Sequence, residues 1–294
     1  MAIPEEQLTT WASIGAQTTS KETYATIKSC LDAGTYGGKD FSSFLQGSYG
    51  NDTNVWKESD VDVVMELTGT YYYDLSALTP AQQQLYKGNH GAATYAFREF
   101  RAEVLAALKA KYGADVEEGT KAISVSANGN RRKADVLACA EHQKILDYGG
   151  LAGERKVVGI CFYKSDGTQV VNYPRLHSDH LTAKNQATSE WFKHIVRIFK
   201  NARQRLVNDG VLEAGVAPSY YIEGLLYNVP NGNFGASYGS SVVKSLSYLA
   251  MADRSRFLCA NEQYQLLDGN VDVTWNSANC TLFLNAFVNL WNQW

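Results

Sequence analysis

The sequence predicts an α+β lobe followed by a helical lobe. Up to Pro174, short β-branched and aromatic runs bounded by turn residues alternate with amphipathic stretches. Beyond Pro174 the apolar residues recur at helical spacing almost without interruption. Inside the first part, Asp60 and Asp62 interrupt a β-branched run two residues apart, where a strand would turn both to one face. The boundary is expected at 172/173, giving lobes of 1–172 and 173–294 with a cleft between them.

In chain order, residues 7–33 read as one long N-terminal helix, with Leu8, Trp11 and Ile14 followed by Tyr24, Ile27 and Leu31 on its apolar side. Gly34 and the Gly37-Gly38 pair end it. Phe44 to Gln46 and Val61 to Leu67 read as strands. Pro80 opens a helical stretch that runs on to Tyr112, with Phe97, Phe100, Val104 and Leu108 on one side. Lys121 to Ser126 and Ala134 to Ala138 form a strand pair around Asn128-Gly129-Asn130. Val157 to Tyr163 and Gln169 to Val171 form a hairpin around Asp166-Gly167. Residues 185–207 read as one helix carrying Trp191, Ile195, Ile198, Phe199 and Leu206, and 219–229, 238–252 and 281–293 as further helices.

The composition is that of an ordinary globular protein of 294 residues, 45% hydrophobic and 19% charged. A net charge of −3 argues against long DNA or RNA as the main partner, because phosphate neutralisation demands a basic excess. The five cysteines form no Cys-X-X-Cys pair and read as reduced core residues. No apolar run is long enough to cross a bilayer, and MAIPEEQLTTW lacks the basic and apolar regions of a signal peptide. A cytoplasmic monomer without a membrane partner is expected.

The chemistry lies in FLQGSYGNDTNVWKESDVDVVMEL. Two carboxylates on one strand face repel each other, and a divalent cation with oxygen ligands relieves the conflict. Alone, the pair also fits a solvated strand face. Gly47-Ser48 lies a dozen residues upstream, where glycine lets backbone approach a phosphate and the serine hydroxyl can join the cradle. That spacing is the pattern of the polymerase-β-like nucleotidyltransferases. These enzymes need a third carboxylate, and Asp135 in RRKADVLAC supplies it; its alternative is an acid paired with Arg132 or Lys133. Two Mg²⁺ ions, or Mn²⁺ in their place, held by Asp60, Asp62 and Asp135 would clamp an α-phosphate between an attacking hydroxyl and departing pyrophosphate.

The whole chain resembles the CD-NTases, the cGAS/DncV-like nucleotidyltransferases, and among them the CdnE-type bacterial enzymes. The resemblance rests on TWASIGAQTTSKETYATIK, LQGSYGNDTNVWKESDVDVVMEL, KADVLAC, VVNYPRLH, AKNQATSEWFKHIVRIFKNAR and APSYYIEGLLYNVP. It implies a cyclic dinucleotide synthase acting in anti-phage (CBASS) signalling, whose product acts on a separate effector protein. The implied nucleotide-binding set is Gln46, Gly47, Ser48, Thr53, Asn172, Lys184, Lys200, Ser219 and Tyr220. Lys200 matches a lysine on the donor triphosphate, or else one member of a solvated stripe with Lys193 and Arg197. Ser219 matches a phosphate contact and Tyr220 a base-stacking ring, or else plain core. Lys184 is a further candidate for phosphate.

Asn172 matches the residue that reads a nucleobase edge, with asparagine associated with pyrimidines. Uracil presents an acceptor at O4 beside a donor at N3, and the asparagine amide offers a donor beside an acceptor. UTP is therefore expected as one substrate; the resemblance implies a uridine-containing product such as cyclic UMP-AMP or cyclic di-UMP, with ATP as the other expected triphosphate. Asn172 also fits a strand-end residue before Tyr173-Pro174. The competing functions are nucleotide transfer to RNA or protein, and a catalytically inactive nucleotide-binding scaffold.

Overall fold

The computed structural model describes residues 2–15, 18–55, 60–150 and 153–294. The chain divides into two compact units. One comprises Gln17–Gln46 and Ser59–Pro174, the other Met1–Ala16, Gly47–Glu58 and Arg175–Trp294. The last passage from the sheet unit to the helical unit falls between Pro174 and Arg175. Two N-terminal segments belong with the helical unit, which a single cut cannot represent.

The first unit is a mixed sheet with helices packed against it. Its helices are α2 (Thr18–Asp32), α4 (Pro80–Asn89) and α5 (Phe97–Tyr112). Its strands are β1 (Phe41–Gln46), β2 (Val61–Asp74), β3 (Val116–Glu118), β4 (Ile123–Val125), β5 (Ala134–Tyr148), β6 (Glu154–Tyr163) and β7 (Gln169–Asn172). The order is β1-β2-β5-β4-β3. β2 and β5 run parallel and the other pairs antiparallel. β5 is long enough that one of its edges carries β4 near Ala134 and β6 from Ala140 onward.

Alternation decides which residues the helices cover. Val61, Val63, Met65 and Leu67 of β2, with Ala134, Val136, Ala138 and Ala140 of β5, pack under Ile27 and Leu31 of α2 and Phe100, Val104 and Leu108 of α5. The intervening residues, Asp62 and Asp135 among them, therefore lie on the opposite face. Both expected hairpins form, with Gly129 and Gly167 at φ +58° and +85°, values an L side chain resists. All five cysteines are buried and free.

The helical unit contains α1 (Glu5–Ala12), a four-residue helical turn α3 (Gly47–Gly50), α6 (Pro174–Ala187), α7 (Trp191–Asn208), α8 (Ser219–Tyr227), α9 (Tyr238–Met251) and α10 (Ser277–Gln293). Its core joins Leu8 of α1, Ile195, Ile198 and Phe199 of α7, Leu225 of α8, Leu249 of α9 and Phe283 and Phe287 of α10. None of the helices formed by the described residues is long and apolar enough to cross a membrane.

Three expected helices are broken. The one read over 7–33 becomes α1 and α2. Ser13 is extended, and Gly15 donates its N–H to Asn54 O at 3.1 Å, so close to Val55 that a Cβ would lie 2.8 Å from the Val55 carbonyl carbon. The stretch from Pro80 to Tyr112 breaks after Asn89. There His90 turns extended and its ring stacks on Tyr86 at 3.9 Å. The helix read over 185–207 begins only at Trp191, because Ser189 and Glu190 take φ +49° and +67°. The Asn185 and Thr188 side chains close that corner: Lys193 N donates to Asn185 Oδ1 at 2.9 Å and Phe192 N to Thr188 Oγ1 at 3.1 Å.

Candidate active site

The sheet places its carboxylates by register. Asp62 pairs with Asp135 on the parallel neighbour, Gln46 of β1 lies opposite Asp62, and Ser124 of β4 lies opposite Asp135. Gln46, Asp62, Asp135 and Ser124 thus form one row across four strands, on the face away from α2 and α5. Asp60 stands immediately before β2.

Lys133 precedes β5 and reaches back over this row. Its Nζ lies 2.9 Å from Asp60 Oδ2 and 3.1 Å from Asp135 Oδ2. The Asp60 hydrogen bond, reinforced by Asp135, raises the Lys133 pKa against the opposing effect of burial. One ammonium therefore bridges two of the three expected metal ligands, and the pairing of Asp135 with Lys133 weighed from the sequence is present. Among the described residues, no three His, Cys, Asp or Glu side chains converge closely enough to hold an ion by themselves. The donor types still suit Mg²⁺: Asp62 and Asp135 stand on adjacent strands and Asp60 just before β2, two of the three already drawn to a cation.

The segment after β1 belongs to the helical unit and is tied down within it. Gly47 takes φ +69°, which excludes most other residues. Asn51 N donates to Gly47 O and Thr53 N to Ser48 O, closing the loop on itself. Thr53 is fully buried. Its hydroxyl donates to Glu223 Oε1 at 2.5 Å and accepts from Lys200 Nζ at 3.1 Å. Lys200 Nζ also donates to Thr53 O at 3.2 Å and to Glu223 Oε1 at 2.9 Å. Asn51 Nδ2 and His177 Nε2 complete the ring of donors on Glu223 Oε2, at 3.2 and 2.8 Å.

Four donors thus converge on one buried carboxylate. Burial alone would raise the Glu223 pKa, but the Lys200 charge, the His177 contact and the Thr53 hydroxyl together hold it far below the usual carboxylate range. Lys200 is 0% exposed and so does not belong to a solvated stripe. Arg197 is also buried, donating to Ala12 O and Asp52 O.

The remaining expected residues are distributed as follows. Tyr220 is half-buried on α8; one face of its ring lies against His177, with centroids 4.5 Å apart and planes 16° apart, and its hydroxyl accepts from Asn261 Nδ2. Ser219 opens α8 and its Oγ accepts from Arg203 at 3.3 Å. Lys184 donates to Val229 O at 2.7 Å and Asn231 Oδ1 at 3.0 Å, amid the rings of Phe192, Tyr227 and Phe234. Burial pushes the Lys184 ammonium down to about 8, while rings and carbonyl act to retain its charge. Asn172 ends β7 in the sheet unit, and its Oδ1 accepts from Tyr173 N at 2.8 Å, the strand-end role weighed from the sequence.

Sequence reasoning passed over Lys133 as a bridge, Ser124 in the carboxylate row, and Glu223 with His177. Strand pairing places Ser124, and a partner 170 residues away in sequence, Thr53, gives Glu223 its meaning; PRLHS and YYIEG carry no local signal for it.

A mixed sheet presenting a row of carboxylates at the start of its central parallel strands, with a helical unit carrying the following loop, defines a nucleotidyltransferase. Residues 179–292 match the cGAS/DncV-like nucleotidyltransferase C-terminal helical domain. Over 100% of its length the chain is 36% identical to 99% of the cyclic UMP-AMP synthase of Rhodothermus marinus. It is 33% identical to the cyclic nucleotide synthase CdnE01 of Staphylococcus haemolyticus, with 100% of both chains covered. The structure of Rhodothermus marinus CdnE c-UMP-AMP synthase with Apcpp and Upnpp superposes with a TM-score of 0.90 at 36% identity, covering 99% of this chain and 97% of that one. The chain belongs to the CdnE-type cyclic dinucleotide synthases of the CD-NTase family.

Proposed function

We propose that this synthase joins UTP and a second nucleoside triphosphate, ATP in the first instance, into a uridine-containing cyclic dinucleotide. The observation that carries the reading is the registered pair Asp62–Asp135 with Asp60 and Asp135 already gathered on the Lys133 ammonium. Such a face is built for cations. Asp60, Asp62 and Asp135 would hold two Mg²⁺ ions, with Lys133 giving way. Bound there, the ions supply neutralisation of the α-phosphate and activation of the attacking hydroxyl.

Each bond-forming step is a substitution at phosphorus. A ribose 2′- or 3′-hydroxyl oxygen bonds to the α-phosphorus, the bond to the β-phosphate bridge breaks, pyrophosphate leaves and the hydroxyl proton passes to solvent. Two such steps close the ring. Gly47 and Ser48 are the proposed triphosphate cradle, with Gln46 and Thr53 at either end of the segment. Given its burial, Lys200 contributes by fixing Thr53. Ser219 and Lys184 are assigned to phosphate binding and Tyr220 to stacking, worth about 1–3 kcal/mol for one base.

The assignment of uridine rests on Asn172 and on likeness to a cyclic UMP-AMP synthase. Oδ1 accepts from Tyr173 N, and the asparagine amide carries an acceptor beside a donor, the pattern that would match uracil N3–H and O4. The product would act on a separate effector in cytoplasmic anti-phage (CBASS) signalling.

The test is incubation with each α-labelled nucleoside triphosphate, alone and in pairs, with Mg²⁺ or Mn²⁺, followed by phosphatase and separation. A phosphatase-resistant dinucleotide that requires UTP is expected. Label carried only into added RNA or into protein would overturn the reading.

A further inference from the structure

His177 lies at the crossing of two features that the nucleotide reading treats separately. Its ring lies flat beneath Tyr220, while its Nε2 is 2.8 Å from Glu223 Oε2. It is 2% exposed, and its buried Nδ1 has no hydrogen-bond partner. The tautomer with its proton on Nε2 therefore satisfies the carboxylate and leaves Nδ1 as a lone pair, a smaller cost than a buried N–H without an acceptor. Glu223 in turn holds Asn51 and Thr53, the residues whose backbone N–H groups close on Gly47 and Ser48. All of these groups belong to the helical unit.

We infer that His177 and Glu223 are positioning residues, one buried carboxylate setting both the tilt of the Tyr220 ring and the conformation of the Gly47–Thr53 segment. The inference rests on the reading of Tyr220 as the surface on which a base stacks. A stacking surface needs a fixed plane. The hydroxyl bond to Asn261 restrains the tip of Tyr220, and a second ring 4.5 Å below restrains its face. His177 is fixed by a carboxylate whose other donors, Lys200, Thr53 and Asn51, anchor it in turn. A tyrosine in an ordinary core would need no such chain of polar groups beneath it, since packing alone orders it.

Two replacements separate the functions of His177. His177→Gln keeps an N–H for Glu223 and removes the ring; His177→Phe keeps the ring and removes the N–H. Both are assayed in the full chain with Mg²⁺, recording kcat, the KM for UTP, the KM for ATP and the melting temperature, alongside Tyr220→Leu. For His177→Gln, the KM for one of the two nucleotides rises about tenfold, the scale of a lost base–aromatic stack, with kcat little changed. For His177→Phe, that KM rises by less, because a ring remains under Tyr220 but is no longer tied to the carboxylate, while the melting temperature falls further than in His177→Gln, because Glu223 has lost a donor. If Tyr220→Leu raises a KM and His177→Gln leaves it unmoved, or if KM follows the melting temperature in both His177 variants, the positioning role is overturned. If Tyr220→Leu leaves both KM values unchanged, the stacking surface itself is disproved, and this role with it.

Discussion

Lys133 Nζ stands 3.1 Å from Asp135 Oδ2, two residues along the same backbone, and the same ammonium reaches Asp60 at 2.9 Å. A lysine in this position competes with any divalent ion that takes Asp60 and Asp135 as ligands. Each half-exposed ion pair contributes about 0.2–1 kcal/mol. Lys133→Met should therefore lower the Mg²⁺ concentration needed for half-maximal activity by about twofold or more, in a titration followed by pyrophosphate release. A higher Mg²⁺ demand in the variant would show instead that Lys133 assists binding of the metal or of the triphosphate.

The carboxylate row predicts three replacements of one kind. Asp60→Asn, Asp62→Asn and Asp135→Asn keep size and remove charge from side chains on the face away from the α2/α5 core. Each should lower kcat by about a thousandfold or more, since stabilisation of transferring phosphate charge is the main source of rate. Melting temperatures should stay near wild type, and the three losses should not add. A variant retaining a tenth of the activity would remove that residue from the metal site.

The Lys200–Glu223 pair makes a different prediction, because both side chains are out of water. Glu223→Gln leaves a buried ammonium short of its counter-ion and should cost about 3–5 kcal/mol in urea unfolding. Pairing it with Lys200→Met should recover part of that loss. The carboxyl pKa in the folded chain lies well below its ordinary 4.5, so this stabilisation is present above pH 4.5 and is lost as pH falls from there. Wild type should lose stability on acidification below pH 4.5 more steeply than the double variant. Equal slopes would mean that Glu223 is not the charged hub.

The sequence disclosed what depends on near neighbours. Period-two alternation placed Val61 and Val63 under the helices and therefore Asp62 opposite them, and the turn residues at Gly129 and Gly167 located both hairpins. Helix breaks were hidden for a physical reason. The apolar periodicity runs through Ser189 and Glu190, and what stops the helix there is side-chain closure by Asn185 and Thr188. At Gly15 the cause is the backbone of Asn54 and Val55, distant in sequence. Site residues divide in the same way. That Asp62 lies on the face away from α2 and α5 was legible from spacing, whereas its register with Asp135 comes from strand pairing. Lys200 was legible as a motif residue, yet its burial depends on Glu223 and Thr53, which no spacing rule connects to it.

Asn172 carries the one prediction about which base is used. Its Oδ1 is committed to Tyr173 N at 2.8 Å, and that bond fixes the amide plane at the end of β7. A fixed amide can discriminate where a free one cannot, because the donor and acceptor must meet uracil O4 and N3–H together. Asn172→Ser removes one of the two groups while its hydroxyl can still bond the Tyr173 N–H, so the strand end should survive. A lost bidentate base contact is worth about 1–3 kcal/mol of discrimination, a preference change of roughly five- to a hundredfold. In competition between UTP and ATP or GTP, incorporation should move toward the purines, with total turnover less affected. If the variant loses all nucleotides equally, Asn172 is a strand-end residue alone. An unchanged preference for UTP would place base reading elsewhere in the chain.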